Sequence, residues 1–200
     1  MGERKSGILL HITSLPGIEG VGTLGKEAYR FVDFLVEAKQ KIWQILPLGQ
    51  VGHGNSPYQC YSAFAGNILM IDLEMLVEDA LLEKQDIMQK PHFSAKFCHF
   101  DAVLNWKVPL LRKAFGKFRE LKSGSFHHDY RQFLKEHSWW LKDFSLFMAV
   151  KKHFENDVWT SWPDDLKFRK AVAIHKYQSK LEDEVEFWKF LQFHFLVLVQ

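Results

Sequence analysis

The first part of the chain alternates between short apolar runs and one amphipathic segment. Residues 8–12, "ILLHI", stop at the breaker residues "TSLPG" and predict a buried strand, and residues 42–46 within "KIWQILPL" predict a second. Between the two runs, apolar side chains at positions 28, 31, 32, 35 and 38 recur at the spacing of one helix face. Strand, helix and strand in this order predict a βαβ unit, in which the two strands are parallel.

The segment from residue 49 to residue 67, "GQVGHGNSPYQCYSAFAGN", has neither the period of a strand nor that of a helix. It is rich in glycine, polar residues and aromatic rings, and it follows a predicted strand directly. We therefore predict a long loop here, and long ordered loops often carry binding or catalytic side chains.

The rest of the chain is helical in period. Beyond "ILMIDLEML" the alternation of strands and helices stops, and three segments with helical spacing cover residues 105–121, 128–156 and 165–195. The linkers "KSGS" and "DVWTSWPDD" separate them, and the second linker places Asp164 or Asp165 as the cap of the following helix. The predicted organisation is a helical block attached to the beginning of an α/β domain.

Composition places the chain among soluble globular proteins, because 47% of its residues are hydrophobic and 25% are charged. The 26 basic and 24 acidic residues nearly cancel, so no overall charge favours nucleic acid or a membrane surface as a partner. No apolar run reaches the roughly 20 residues of a membrane span, and the N-terminus lacks the apolar core of a signal peptide. The two cysteines, Cys60 and Cys98, suit a reducing compartment although one disulfide stays open, and we expect a cytoplasmic location.

Residues 20–25, "GVGTLG", spell the glycine pattern of dinucleotide-binding folds, but their surroundings argue against a cofactor. That motif requires its glycines directly after the first strand and an acidic residue at the end of the second. Here "TSLPGIE" intervenes after the first predicted strand, and the second ends in "ILPLGQ" without a carboxylate. We therefore predict a glycine-rich loop that binds no cofactor.

Metal and nucleophile motifs are also missing. Neither the group His92, Cys98 and His99 nor the pair His127 and His128 has the spacing of a zinc site, so we predict no metal. No motif of a hydrolase nucleophile is present, and no pair of carboxylates ends the predicted strands.

Two helical stretches have a functional and a structural interpretation. The basic residues of "KFRKAVAIHKYQSK" run directly into "LEDEVE", which indicates a solvated helix face rather than a nucleic-acid surface. In "WWLKDFSLFMAVKKHF", Trp139 or Trp140 is a candidate platform for a sugar ring. At helical spacing, however, Trp140, Phe144 and Phe147 share one face, and we favour a packed face.

Longer strings in the chain resemble a known family. The order of "SGILLHITSLPG", "GTLGKEAYRFVDFLVEAKQKIWQILPLGQ" and "GHGNSPYQCYSAFAGNILMIDLEML" closely resembles the amylomaltases, the 4-α-glucanotransferases of glycoside hydrolase family 77. "FDAVLNWKVPLLRKAF", "WWLKDFSLFMAVK" and "FWKFLQFHF" resemble the helical insertion of that family. The resemblance extends from Arg4 to about Phe195.

The resemblance implies an α/β fold that begins a (β/α)8 barrel with its first two strands in residues 1–75, followed by a mostly helical insertion in residues 76–200. Family members transfer α-1,4-glucan segments between maltodextrins by a retaining double displacement, with an aspartate nucleophile, a glutamate acid/base and no cofactor. We expect the strands that carry both carboxylates beyond residue 200, so the isolated chain is expected to be inactive. The plastid stroma is the alternative location if the source is a plant or an alga.

The same resemblance implies that the "NSPYQ" loop binds the glucan. We expect Tyr58, Ser56, Asn55 and His53 to contact the substrate. The family often has "GYGDSPYQ" where this chain has "GHGNSPYQ", so His53 stands for a tyrosine and Asn55 for an aspartate. The glycines at 20–25 then belong to the loop between the first barrel strand and its helix. The alternatives to a transferase are a non-catalytic glucan-binding module and a remnant without a partner.

Overall fold

The computed structural model describes residues 4–52, 54–121 and 125–199. Two strands, β1 Gly7–Leu9 and β2 Ile42–Gln44, are joined by helix α1 Lys26–Glu37. The remaining helices are α2 Leu73–Glu78, α3 Lys84–Met88, α4 Phe100–Glu120, α5 Ser125–Glu136, α6 Ser138–His153, α7 Asp164–Lys167, α8 Ala171–Lys180 and α9 Glu182–Val199. The described chain is therefore mostly helical, with one two-stranded sheet.

The chain divides into two compact units. The first contains the residues up to Leu121 and the end of α9 from His194, and the second contains residues 122–193. The boundary that the sequence predicts, between the beginning of a barrel in residues 1–75 and a helical insertion in residues 76–200, stays a prediction.

The two strands pair in parallel, as the βαβ pattern predicts. Gly7 lies opposite Ile42 and Leu9 opposite Gln44, and the Trp43 indole Nε1 donates to the Leu10 carbonyl at 2.8 Å. The prediction that the first strand is buried is wrong, because Ile8 and Leu9 are exposed. A parallel sheet is buried only when elements cover both of its faces, and a sheet of two short strands has too little around it.

Helix α1 begins after Gly25 and buries a narrower stripe than its spacing predicts. Ala28 and Leu35 are buried, whereas Val32 and Ala38, which the pattern assigns to the same face, are exposed. Apolar side chains of the βαβ unit such as Ile8, Val32 and Ile42 are therefore exposed.

The second unit contains the packed aromatic face predicted in α6. Trp140 and Phe144 are buried, and the Phe144 ring meets the Trp188 ring edge-on at 5.9 Å, whereas Trp139 is exposed. The packed face is therefore confirmed for Trp140 and Phe144. Phe147 is half-buried.

The last predicted helical segment is broken into three helices. Arg169 adopts a left-handed φ of 53°, which ends α7. The predicted cap is wrong, because Pro163 occupies the cap position and Asp164 is already the first helical residue. Proline suits this place, since a helix start needs no amide donor there.

Candidate functional site

Two loops leave the same edge of the sheet. One follows β1 as far as Gly25, and the other follows β2 as far as Asn67. Because β1 and β2 are parallel, both loops start at the carboxyl ends of their strands. In α/β folds this edge is where ligands bind.

The second loop is ordered by an irregular antiparallel ladder rather than being open coil. Gly49 bridges to Gly66 and Val51 to Cys60. The buried Gln50 side chain anchors the base, since its Oε1 accepts from the Ile68 amide at 3.1 Å. These contacts order the base of the loop, from which its tip projects.

The tip of this loop is the tight turn 56–59. The Gln59 amide donates to the Ser56 carbonyl at 3.0 Å, and Pro57 occupies the second position, where its fixed φ suits the turn. Ser56 Oγ also accepts from the Tyr58 amide at 3.4 Å. Tyr58 follows as the third residue, and 74% of it is exposed. The turn therefore presents an aromatic ring and its hydroxyl to solvent on a stiffened backbone.

Asn55 enters this turn in a left-handed conformation. Its φ is 54°, and its amide donates to the Gly52 carbonyl at 3.3 Å. Asparagine and aspartate tolerate this conformation better than other residues with a side chain. The asparagine therefore suits the backbone conformation that this position requires.

The base of the loop is closed against the end of α9. A Cβ on Gly66 would lie 2.0 Å from Phe195 Cδ1, and Phe195 is buried. Phe195 also lines a cavity of about 250 Å³ with Pro47, Cys60 and Phe64. Only glycine fits at position 66, because the ring occupies the space of any side chain.

The glycines at residues 20–25 allow close packing of the first loop. A Cβ on Gly22 would lie 2.0 Å from the Ile12 carbonyl oxygen, and one on Gly25 would lie 1.8 Å from Asp72 Oδ2. Gly20 has a φ of 75° and faces the Phe93 ring. These positions need glycine because backbone and side chains approach them closely.

A network of buried charged side chains connects the first loop to α2 and α4. Lys107 Nζ donates to Glu19 Oε2 at 2.5 Å, and the Leu73 amide donates to Glu19 Oε1 at 2.9 Å. Thr23 Oγ1 donates to Asp72 Oδ2 at 2.6 Å, while Asp72 Oδ1 caps α2. Burial raises the pKa of Glu19, although Lys107 opposes the shift.

Glu19 and Asp72 are therefore structural carboxylates. All four of their oxygens accept hydrogen bonds: three of these bonds join the first loop to α2 and α4, and the fourth caps α2. A catalytic acid or base needs an oxygen that is open to substrate. No local pattern predicts the Glu19–Lys107 pair, because 88 residues separate its members.

Comparison with known proteins decides the family. Residues 10–198 match glycoside hydrolase family 77, described as 4-alpha-glucanotransferase. The chain belongs to this family. It is 46% identical over 187 residues to the 4-alpha-glucanotransferase of Clostridium butyricum, and 44% identical over 197 residues to that of Streptococcus pneumoniae. These alignments cover 93% and 98% of the chain but 38% of each relative.

A solved structure of the family has the same fold as the chain. The amylomaltase from Streptococcus agalactiae in complex with acarbose is 39% identical and superposes with a TM-score of 0.91. The superposition covers 98% of the chain and 39% of that amylomaltase. The chain thus spans about two fifths of the length of its family relatives.

In this chain, three of the predicted site residues lie together at the tip of the second loop. They are Asn55, Ser56 and Tyr58, while His53 lies outside the described residues. Their contact with glucan stays a prediction. In residues 4–52, 54–121 and 125–199, no group of three or more histidine, cysteine, aspartate or glutamate side chains is placed to hold a metal ion. No helix in those ranges is long and apolar enough to cross a bilayer.

Proposed function

We propose that the chain is the N-terminal part of a 4-α-glucanotransferase, in which β1, α1 and β2 begin a (β/α)8 barrel. The parallel pairing of β1 with β2 and the family membership support this assignment. Transfer of α-1,4-glucan segments between maltodextrins is the reaction. A cytoplasmic site of action is part of the proposal, with the plastid stroma as the alternative that the chloroplastic/amyloplastic rice relative supports.

Tyr58 is the residue that binds substrate in this proposal. The observation that carries it is the exposed ring held on the Pro57 turn at the carboxyl edge of the strands. A tyrosine ring packs against the apolar face of a glucosyl unit, and its hydroxyl forms a hydrogen bond with a sugar hydroxyl. Ser56 and Asn55 shape the same turn, and His53 completes the proposed set of contacts.

The chemistry of the proposed enzyme is a retaining double displacement. It requires two carboxylates about 5–5.5 Å apart, one as nucleophile and the other as acid/base. Glu19 and Asp72 do not fit these roles, because their oxygens are taken up by structural hydrogen bonds. We assign both catalytic carboxylates to barrel strands outside the 200 residues, so the chain alone is proposed to be inactive.

A chimera tests the function directly. We would join this chain to the remaining part of the Clostridium butyricum relative and measure glucose release from maltotriose. The chimera is expected to disproportionate maltotriose, whereas the 200-residue chain alone releases no glucose above a buffer blank. An inactive but folded chimera contradicts the assignment, and activity of the chain alone contradicts the placement of the carboxylates.

Substitutions in the chimera test the role of Tyr58. Tyr58→Phe removes one hydrogen bond, worth about 0.5–1.5 kcal/mol, and should lower kcat/KM roughly 2- to 12-fold. Tyr58→Ala should lower it further through lost packing, while the melting temperature stays nearly constant. Tyr29→Ala, which removes another exposed ring from α1, is the matched control and should leave kcat/KM unchanged. A large drop in melting temperature for Tyr58→Ala with intact kcat/KM would instead assign the ring to packing.

A further inference from the structure

Cys60 follows the turn that carries Tyr58, and its thiol contacts that turn. Cys60 Sγ donates to the Pro57 carbonyl oxygen at 3.1 Å. The backbone of Cys60 belongs to the antiparallel ladder of the loop, because it bridges to Val51. The thiol therefore connects the ladder at the base of the loop to the turn at its tip.

The sulfur of Cys60 is also packed against the opposite arm of the loop. A Cβ on Gly49 would lie 2.7 Å from Cys60 Sγ and 2.9 Å from Cys60 Cβ. Only a residue without a side chain leaves this space for the thiol. Cys60 is a free, half-buried cysteine, so its side chain lies between the Gly49 backbone and the Pro57 carbonyl.

The carbonyl that accepts from the thiol belongs to the central peptide of the turn, between Pro57 and Tyr58. The amide of the same peptide, which is that of Tyr58, donates to Ser56 Oγ at 3.4 Å. Side chains therefore hold both polar groups of this peptide, Cys60 its oxygen and Ser56 its nitrogen. Rotation of the peptide plane would break both hydrogen bonds.

Rotation of this peptide is the motion that would redirect the Tyr58 ring. A half-turn of the central peptide interconverts type I and type II turns and changes φ of the third residue from about −90° to about +80°. Tyr58 has a negative φ, so the turn is not of type II. The direction of a Cα–Cβ bond depends on where the backbone nitrogen lies. A restrained Pro57–Tyr58 peptide therefore fixes the direction in which the ring leaves the turn.

We propose that Cys60 is a positioning residue, whose thiol holds the Pro57–Tyr58 peptide so that the Tyr58 ring meets the glucan in one orientation. Cys60 acts through Tyr58 and does not itself contact substrate. The effect on glucan transfer rests on the proposed function, in which Tyr58 binds a glucosyl unit, whereas the restraint of the turn rests on the hydrogen bonds alone. A thiol is a weak donor, so the contribution is a factor of a few.

Hydrogen exchange tests the restraint of the turn without reference to activity. We would measure by NMR the exchange rates of the Tyr58 and Gln59 amides in the full 200-residue chain, since the Gln59 amide closes the turn by donating to the Ser56 carbonyl. Cys60→Ala should raise both rates about two- to fivefold, as expected for the loss of one weak hydrogen bond. Cys60→Ser keeps a donor on the same Cβ and should restore the original rates. The control is Cys98→Ala, which removes a thiol packed in the core of the first unit and should leave both rates unchanged.

Kinetics of the chimera test whether the restraint acts through Tyr58. Cys60→Ala should lower kcat/KM for maltotriose by about two- to fivefold, and Cys60→Ser should restore it. In a Tyr58→Ala background, Cys60→Ala should have no further effect, because the ring that it positions is absent. A thiol that only stabilises the loop would lower kcat/KM in both backgrounds.

The outcomes separate this inference from the proposed function. Faster exchange in Cys60→Ala that Cys60→Ser reverses, with a loss of kcat/KM that depends on Tyr58, supports the positioning role. Unchanged exchange in Cys60→Ala, or exchange that is equally fast in Cys60→Ser, overturns it even when the chimera transfers glucose normally. An equal loss of kcat/KM with and without the Tyr58 ring also overturns it. An inactive chimera contradicts the proposed function, and the exchange rates then decide whether Cys60 holds the turn.

Discussion

Lys107 provides the sharpest test of how the first unit is held together. The side chain is fully buried, and its Nζ donates to Glu19 Oε2 at 2.5 Å and to the Leu69 carbonyl at 2.8 Å. Lys107→Met keeps an apolar stem but removes the charge, so the buried Glu19 carboxylate loses its counter-ion. Removing one partner of a buried ion pair lowers the free energy of unfolding by about 3–5 kcal/mol, because the other charge remains without solvation. The Leu69 carbonyl loses a donor as well, which adds about 1 kcal/mol.

Urea denaturation at pH 7, followed by far-ultraviolet circular dichroism, measures this loss, and hydrogen exchange of the α4 amides locates it. Lys113→Met on the same helix is the matched control, because its exposed ammonium pairs with Asp86 at 2.6 Å and should contribute far less. Combining Glu19→Gln with Lys107→Met should restore part of the stability, since no unpaired charge is then buried. The reasoning is refuted if Lys107→Met is no more destabilising than Lys113→Met, or if the double variant is no more stable than Lys107→Met alone.

Two further predictions concern pH and packing. Burial lowers the pKa of His194 to about 3, so below its ordinary value of 6.5 the unfolded chain takes up a proton that the folded chain does not. Stability should therefore fall as the pH drops from 6.5 towards 3, by about 2 kcal/mol at pH 5, and His194→Gln should flatten this dependence in urea titrations at pH 7.5 and pH 5. Gly25→Ala would place a Cβ 1.8 Å from Asp72 Oδ2, whereas the control Gly17→Ala meets nothing closer than 3.6 Å. Thermal unfolding should show Gly25→Ala destabilised by about 1–3 kcal/mol through displacement of Asp72 and Gly17→Ala nearly unchanged; equal stabilities would contradict the steric argument.

The sequence by itself determined the elements whose signals are local. The parallel pairing of β1 and β2 followed from two apolar runs on either side of an amphipathic helix, and the packed face of Trp140 and Phe144 followed from their spacing. Family membership also followed from the sequence, because strings such as "NSPYQ" are specific. These features depend on residues that are near one another along the chain.

The tertiary structure alone decided which surfaces are covered and which polar groups meet. Spacing could not predict that Ile8 and Val32 are exposed, since burial depends on what packs against a face. It could not predict that Glu19 lies beside Lys107, because these residues are far apart along the chain. Nor could it predict that the Trp162 indole N–H is buried without an acceptor among the described residues, because that depends on what packs around the ring. The role of the glycines at residues 20–25 also depends on the tertiary structure. Glycine is needed both in a loop that binds a cofactor and in a loop that packs closely. The Ile12 carbonyl and the Asp72 carboxylate, which lie against Gly22 and Gly25, show that close packing requires glycine here.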